Sequence, residues 1–368
     1  TAFLQNAYES AYLQFANDTV ADTVEYFAKI CKEVCQYKQI VGTFYGYALE
    51  AYDRYHQGGF SLYKLLDSPN IDFFASPFSY SDARTLEKEL SYMVPAGSVK
   101  LHNKAYVVEA DIRTQFSTYP EKSRENIKLK IPYRGDVWFG EPTQERTLFQ
   151  IRRAFAKVLT GCGGLWWFDM WGGWYNTLES MRELGKLRKL ASSSFTMPLP
   201  TFTHIAILID EWLWKRHGIG CGQEQISCCK MAYTSGIMAD IYLTTDFDLI
   251  KSRYQVFVFP QSDPDAHMLK YCESAKKQCV YGKDISVFQI REAYQKAGLT
   301  PLADAGDIIY EGNGFLALNA LTGGMKTITL PNGFRAASLQ GEHMEEQQGK
   351  LNLLMQQYDT AFFKIVKK

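Results

Sequence analysis

Lys104-Ala105-Tyr106-Val107-Val108-Glu109 is an apolar run of strand length that ends in an acid, and Leu165-Trp166-Trp167-Phe168-Asp169 is a second. Between them, Thr143–Leu159 places Leu148, Ile151, Phe155 and Val158 on one helical face. Strand, helix, strand with near-continuous apolar strands predicts a parallel sheet, since such strands are covered on both faces. Working outward, the pattern repeats. Residues 7–35 predict a helix whose Val20, Val24, Phe27, Ile30, Cys31 and Val34 face the core, with Asp18 or Thr19 as a start signal for its second part. Gln39–Tyr45 reads as a strand, Leu62–Leu66 as a helix stopped by Ser68-Pro69, Ile71–Ser76 as a strand ended by Pro77, and Asp82–Tyr92 as a helix. Leu178–Leu190 is again helical. Residues 1–197 therefore alternate helix and strand four times, half of the eight units of a (β/α)8 barrel. Half a barrel has two open edges, and Ile40–Phe44 is expected to be an exposed apolar one.

Ser192–Thr203, with Pro198 and Pro200, reads as a linker. His204–Asp210, Ala239–Leu243 and Tyr254–Phe259 are strands, and Gln223–Ser235, Ala266–Lys277 and Val287–Ala297 are helices. This predicts a second, smaller doubly wound α/β domain over residues 198–300, with no clear strand between Cys279 and Val287. Residues 301–368 predict a small antiparallel β domain from Asp307–Tyr310, Phe315–Ala320, Lys326–Leu330 and Ala361–Val366, punctuated by Gly312-Asn313-Gly314 and Asn332-Gly333. Gly341–Gln357 is polar for such a module.

The 368 residues carry 40 Lys and Arg against 40 Asp and Glu, so no bulk charge draws the chain to nucleic acid. With 46% hydrophobic residues it is no disordered solvator. No window of about 18 apolar residues spans a membrane. Thr1 opens the chain without a signal peptide, so the start reads as processed, engineered or internal to a longer chain. The eight cysteines form no dense framework and read as free thiols, which points to a cytoplasmic setting. Cys31 and Cys35 have no matching second pair, so no metal site is expected. Gly161-Cys162-Gly163-Gly164 precedes a strand, whereas a dinucleotide loop follows one, and no cofactor is expected.

Barrel enzymes place their active sites at the carboxyl ends of the strands. Those ends hold Tyr45-Gly46-Tyr47, Ser76-Pro77, Glu109-Ala110-Asp111-Ile112-Arg113 and Asp169-Met170-Trp171-Gly172-Gly173-Trp174. Aromatic rings pack on the C–H faces of sugars, while carboxylates and Arg bind hydroxyls, so the set suits a carbohydrate. Glu109 is the candidate catalytic residue: a glutamate at a strand end can act as nucleophile in a retaining glycosidase. A rim glutamate salt-bridged to Arg113 is the alternative. Tyr45, Tyr47, Asp111, Arg113, Asp169, Trp171 and Trp174 are candidate sugar contacts, and one of Trp166 and Trp167 should point to each face of the sheet.

Phe44-Tyr45-Gly46-Tyr47, Leu65–Phe73, Ser76-Pro77, Val108–Thr114, Trp166–Met170 and Gly172-Gly173-Trp174 resemble β-galactosidase-like enzymes of glycoside hydrolase family 42. Ile207–Glu211 looks like the start of that family's flavodoxin-like trimerisation domain, and Gly312–Leu318 with Lys326–Pro331 like its C-terminal β domain. The resemblance implies a retaining mechanism, a homotrimer and a nucleophile at the end of barrel strand seven. Counting back from the Trp-rich strand as strand eight, Glu109 takes that place. It also implies an acid/base Glu after an Asn at the end of strand four, and no Asn-Glu pair ends a strand here. The chain is thus expected to hold strands five to eight, with the acid/base carboxylate missing. The other reading is a non-catalytic carbohydrate-binding or assembly protein derived from the glycosidase fold.

Overall fold

The structure is a computed structural model that describes residues 2–50, 58–80, 84–119, 122, 138–161, 163–170, 172–194, 201–217, 222–341 and 343–368. The first sheet is parallel, with strand order β1 (Gly42–Phe44), β2 (Phe73–Pro77), β3 (Ala105–Ala110) and β4 (Gly164–Trp167). Helices α1 (Ala2–Val34), α2 (Leu62–Leu66), α3 (Ala96–Leu101), α4 (Gln144–Thr160) and α5 (Leu178–Ser194) alternate with the strands. Sequential strands lying side by side in parallel fit part of a (β/α)8 barrel.

The two faces of this sheet differ. Phe74, Ser76, Tyr106, Val108 and Ala110 are buried. The alternate positions share the other face through the register Gly42↔Phe73, Phe44↔Ala75, Pro77↔Glu109 and Glu109↔Trp166. Phe44 is exposed there, and Phe73, Val107, Glu109 and Trp166 are only half-buried. A parallel sheet normally covers both faces; here one is only partly covered, with Ala75 and Pro77 buried between more exposed neighbours. The exposed edge expected at Ile40–Phe44 is present, with Ile40 and Phe44 both exposed.

Helix α1 corrects the sequence reading. It is one continuous helix, without a second start at Asp18 or Thr19. Its buried stripe is Leu13, Asn17, Ala21, Ala28 and Lys32, while Val20, Phe27 and Val34 face outward with Tyr8, Tyr12, Phe15 and Tyr26. Polar bonds set this phase. Asn17 Nδ2 donates to Leu13 O (2.8 Å), its Oδ1 accepts from Phe60 N (2.9 Å), and Lys32 pairs with Asp72. The alanines let the helix approach closely.

The helix expected at Asp82–Tyr92 is also corrected. Residues 81–83 lie outside the described residues, and 84–94 run irregularly before α3. Arginine side chains satisfy backbone carbonyls within this segment and just before it. Arg153 of α4, fully buried, donates to Leu86 O (3.2 Å) and Thr85 O (3.1 Å), and Arg84 to Phe78 O (2.6 Å) and Ser79 O (3.2 Å).

The second parallel sheet has the doubly wound order β6 (Ala239–Leu243), β5 (Ile205–Ile209), β7 (Val256–Phe259), β8 (Gln278–Tyr281). Helices α6 (Gln223–Tyr233), α7 (Ala266–Ser274) and α8 (Val287–Lys296) accompany it. β8 was not expected from the sequence; it is an edge strand of half-buried, mixed residues. Two antiparallel sheets follow: β12 (Phe334–Ser338), β15 (Thr360–Lys367), β10 (Phe315–Asn319), β9 (Ile308–Gly312), and β11 (Gly324–Thr329), β14 (Lys350–Met355), β13 (Met344–Gln347). The polar segment 341–357 therefore does form strands. β14 buries Leu351, Leu353 and Met355 and turns Lys350 and Leu354 outward. Of the expected linker, 195–200 lie outside the described residues, and its end is pinned: Glu311 of β9 accepts from Phe202 N (3.0 Å) and Thr203 Oγ1 (3.0 Å).

One buried cluster joins these layers. Lys157 of α4 pairs with Glu89, and its ammonium lies 3.8 Å from the ring of Tyr233, 4.7 Å from Tyr92 and 5.3 Å from Tyr310. Tyr310 of β9 donates to the other Glu89 oxygen (2.9 Å). The two parallel sheets meet where Leu243 N donates to Ser98 Oγ of α3 (2.8 Å) and His102 bridges Asp67 (2.6 Å) and Asp246 (2.9 Å).

Candidate active site

Glu109, next to last in β3, lies on the less covered face opposite Trp166, and Trp166 meets Phe44 edge to face at 6.0 Å. The Glu109 carboxylate makes no hydrogen bond among the described residues. Partial burial raises its pKa, and nearby Asp111 raises it further, while Arg84 and Arg113 pull it down. It is therefore an unengaged carboxylate that feels the charge of two guanidinium groups without pairing with either. The alternative of a salt bridge from Glu109 to Arg113 is not formed.

Asp111, two residues after Glu109, is almost fully buried. Arg84 pairs with one of its oxygens, and the other accepts from Tyr80 Oη (3.0 Å) and Arg113 Nη1 (3.3 Å). All its capacity is directed inward, so it positions the two arginines. Arg113 is stacked between Trp174 (4.4 Å) and Trp138 (5.5 Å). Trp174 is itself buried by that packing. Asp169 accepts from Gly172 N (2.8 Å) and Trp174 N (2.9 Å), closing the turn through Gly172 and Gly173, both at positive φ. Trp171 lies outside the described residues. Tyr45 is buried, with its hydroxyl accepting from Ser61 N (3.3 Å) ahead of α2, and Tyr47 is half-buried after β1. Trp166 faces the open side; Trp167 packs behind it against Tyr175 at 6.0 Å.

The structure thus brings Glu109, Asp111, Arg113 and Trp174 together and commits Tyr45 and Asp169 to local backbone. Arg84 was missed by sequence reading. It lies in the irregular segment, at φ 54°, and only the need of buried Asp111 for a second cation hints at it. No second carboxylate faces the open side at these strand ends among the described residues. Glu50, also buried, accepts from Tyr80 N (3.1 Å). No group of three or more metal-ligating side chains occurs among the described residues. No described helix is long and apolar enough to cross a membrane.

Four parallel strands thus end in one cluster of acid, arginine and aromatic side chains. Among solved structures the chain is similar to a catalytic mutant of Gan42B, a GH42 β-galactosidase from G. stearothermophilus. It matches with a TM-score of 0.55 at 10% identity, over 96% of this chain and 68% of that one. A β-galactosidase from the haloarchaeon Halorubrum lacusprofundi matches with a TM-score of 0.49 at 8% identity, over 98% of this chain and 68% of that one. The β-galactosidase from Rahnella sp. matches with 0.47 at 10%, over 83% and 62%. No protein-family model matches the chain, and no curated protein matches it. The chain has a GH42-like fold.

Proposed function

We propose that this chain is the nucleophile-bearing part of a retaining glycoside hydrolase resembling β-galactosidase, acting on terminal β-linked sugars. Glu109 attacks the anomeric carbon and forms the glycosyl-enzyme, which water then hydrolyses. The single observation that carries this reading is the Glu109 carboxylate near the end of a strand, without a hydrogen bond among the described residues, in the electrostatic field of Arg84 and Arg113 and on the less covered face of the sheet. The acid/base carboxylate comes from outside this chain, on a body that covers the open face. The first sheet then corresponds to strands five to eight of a (β/α)8 barrel within residues 1–197. Residues 198–300 form a flavodoxin-like unit, 301–368 a β domain, and the assembly is a homotrimer.

The test uses nitrophenyl β-glycosides with the assembled enzyme. Glu109→Gln should lower kcat by about 10⁴-fold or more, because no other group can form the intermediate. Glu109→Gly should be partly rescued by azide, with release of a glycosyl azide of inverted configuration. Turnover of the Gln variant near wild type sinks the assignment. The second reading, a sugar-binding or assembly protein, is favoured by the burial of Trp174 and the inward commitment of Asp111. It predicts saturable sugar binding with no hydrolysis in any assembly.

A further inference from the structure

A cavity of about 250 Å³ opens beside the end of β3, lined among others by Ile112, Arg113, Phe139, Gly140, Arg146 and Gln150. Its donors are used unequally. Arg84 spends Nε and both Nη groups on Ser79 O, Asp111 and Phe78 O. Arg146 spends Nε on Glu141 and Nη2 on Glu87, so those two lining glutamates are already paired. Arg113 is different. Only its Nη1 is engaged, with Asp111 O (2.8 Å) and Oδ2 (3.3 Å). Its Nε is buried without a partner, although Arg113 is 6% exposed, and Nη2 bonds no described residue. The indole Nε1 of Trp138, whose ring Arg113 faces, is also buried without a partner.

The Nε–Nη2 edge of a guanidinium is the edge that takes a carboxylate with two parallel bonds. The Trp138 indole, whose ring Arg113 faces, holds a further unpaired N–H within the same packed cluster. Charges balance across the lining and the partnered Asp111, so selection here rests on donor geometry, not on bulk positive charge. Gly140 lets the loop that carries Trp138 and Phe139 pack on the main chain at Arg113: a Cβ there would stand 2.3 Å from that backbone carbonyl.

We infer that Arg113 and Trp138 form a carboxylate-binding subsite, so that the sugar taken by this chain is a uronic acid rather than a neutral hexose. The inference rests on the glycosidase reading for its placement, but it is tested by binding alone. The test is calorimetric titration of the full chain with methyl β-D-galacturonide and, as its matched neutral sugar, methyl β-D-galactoside, which differ only at C6. The galacturonide should bind at least tenfold more tightly. Trp138→Phe keeps an aromatic face toward Arg113 but removes the indole donor, and should weaken galacturonide binding about fivefold while leaving the galactoside unchanged. Arg113→Lys should abolish the preference, since a point charge cannot reproduce the fork.

Equal binding of the two sugars, no galacturonide binding, or a Trp138→Phe variant with unchanged galacturonide affinity overturns the subsite. Circular dichroism of Trp138→Phe confirms the fold in each case. Tight galacturonide binding without hydrolysis by the assembled enzyme would overturn the hydrolase reading and leave the subsite standing.

Discussion

Lys157→Met should cost the chain about 3–5 kcal/mol, the range for removing one partner of a buried ion pair. The Lys157 and Glu89 side chains are 2% and 1% exposed, so water cannot replace the lost ammonium. Glu89 would keep only the Tyr310 hydroxyl at 2.9 Å. The ammonium also leaves the rings of Tyr233, Tyr92 and Tyr310, each contact worth about 0.5–2 kcal/mol. Methionine nearly matches the lysine stem in volume, so the cavity contribution stays small and the charge effect is isolated. Urea unfolding followed by tryptophan fluorescence and far-ultraviolet dichroism measures the loss. Adding Glu89→Gln to Lys157→Met should recover a large part of it, because the uncompensated carboxylate disappears. Because the cluster joins α4, the 84–94 segment, α6 and β9, both probes should report one transition in the wild type. A Lys157→Met variant within about 1 kcal/mol of wild type, or a double variant no more stable than the single, would refute the argument.

Two further expectations concern the junction between the parallel sheets. Burial pushes the pKa of Glu211 up to about 8, even though Leu62 N and Tyr63 N donate to it. The unfolded value is about 4.3, so between about pH 4.3 and 8 the folded chain holds a proton that the unfolded chain has released. Stability should therefore fall as pH rises through that window, by about 1.4 kcal/mol per unit of displacement. Denaturation midpoints across pH should show a shallower slope in Glu211→Gln; an unchanged slope removes Glu211 as the cause. Gly97 of α3 sits where a Cβ would lie 2.4 Å from Ile241 O of β6. Gly97→Ala should thus destabilise by about 1–3 kcal/mol in the same unfolding assay, and a neutral result would mean the sheets separate there without cost.

What the sequence revealed followed from burial by alternation. Tyr106, Val108 and Glu109 announce a strand and its end because their period and composition agree, and the chemistry at that end was legible for the same reason. Helix α1 misled because its large apolar residues are not its buried ones. Its inner stripe is made of two alanines, Leu13, an asparagine and a lysine that find partners within the fold, and nothing in a periodicity count ranks Asn17 above Phe27. Residues 84–94 misled because the groups that satisfy their carbonyls, Arg153 above all, come from a helix over 60 residues later. β8, of mixed composition, and the polar β13 are edge strands held by backbone ladders that composition does not record. Trp138 escaped notice because an unpaired N–H is visible only once its neighbours are placed.

The outward-facing Tyr8, Tyr12, Phe15, Tyr26 and Phe27 of α1, with Ile40 and Phe44 nearby in sequence, have a practical consequence for anyone handling the protein. Fluorescent dyes that light up on greasy surfaces are commonly used as markers of unfolding. This chain should light them up while fully native. Amide exchange in β3 and α4 would be slow at the same moment, so the two measurements would disagree. A thermal scan with such a dye would begin bright and could dim on heating, inverting the usual trace. Melting of this chain is better followed by its own tryptophans.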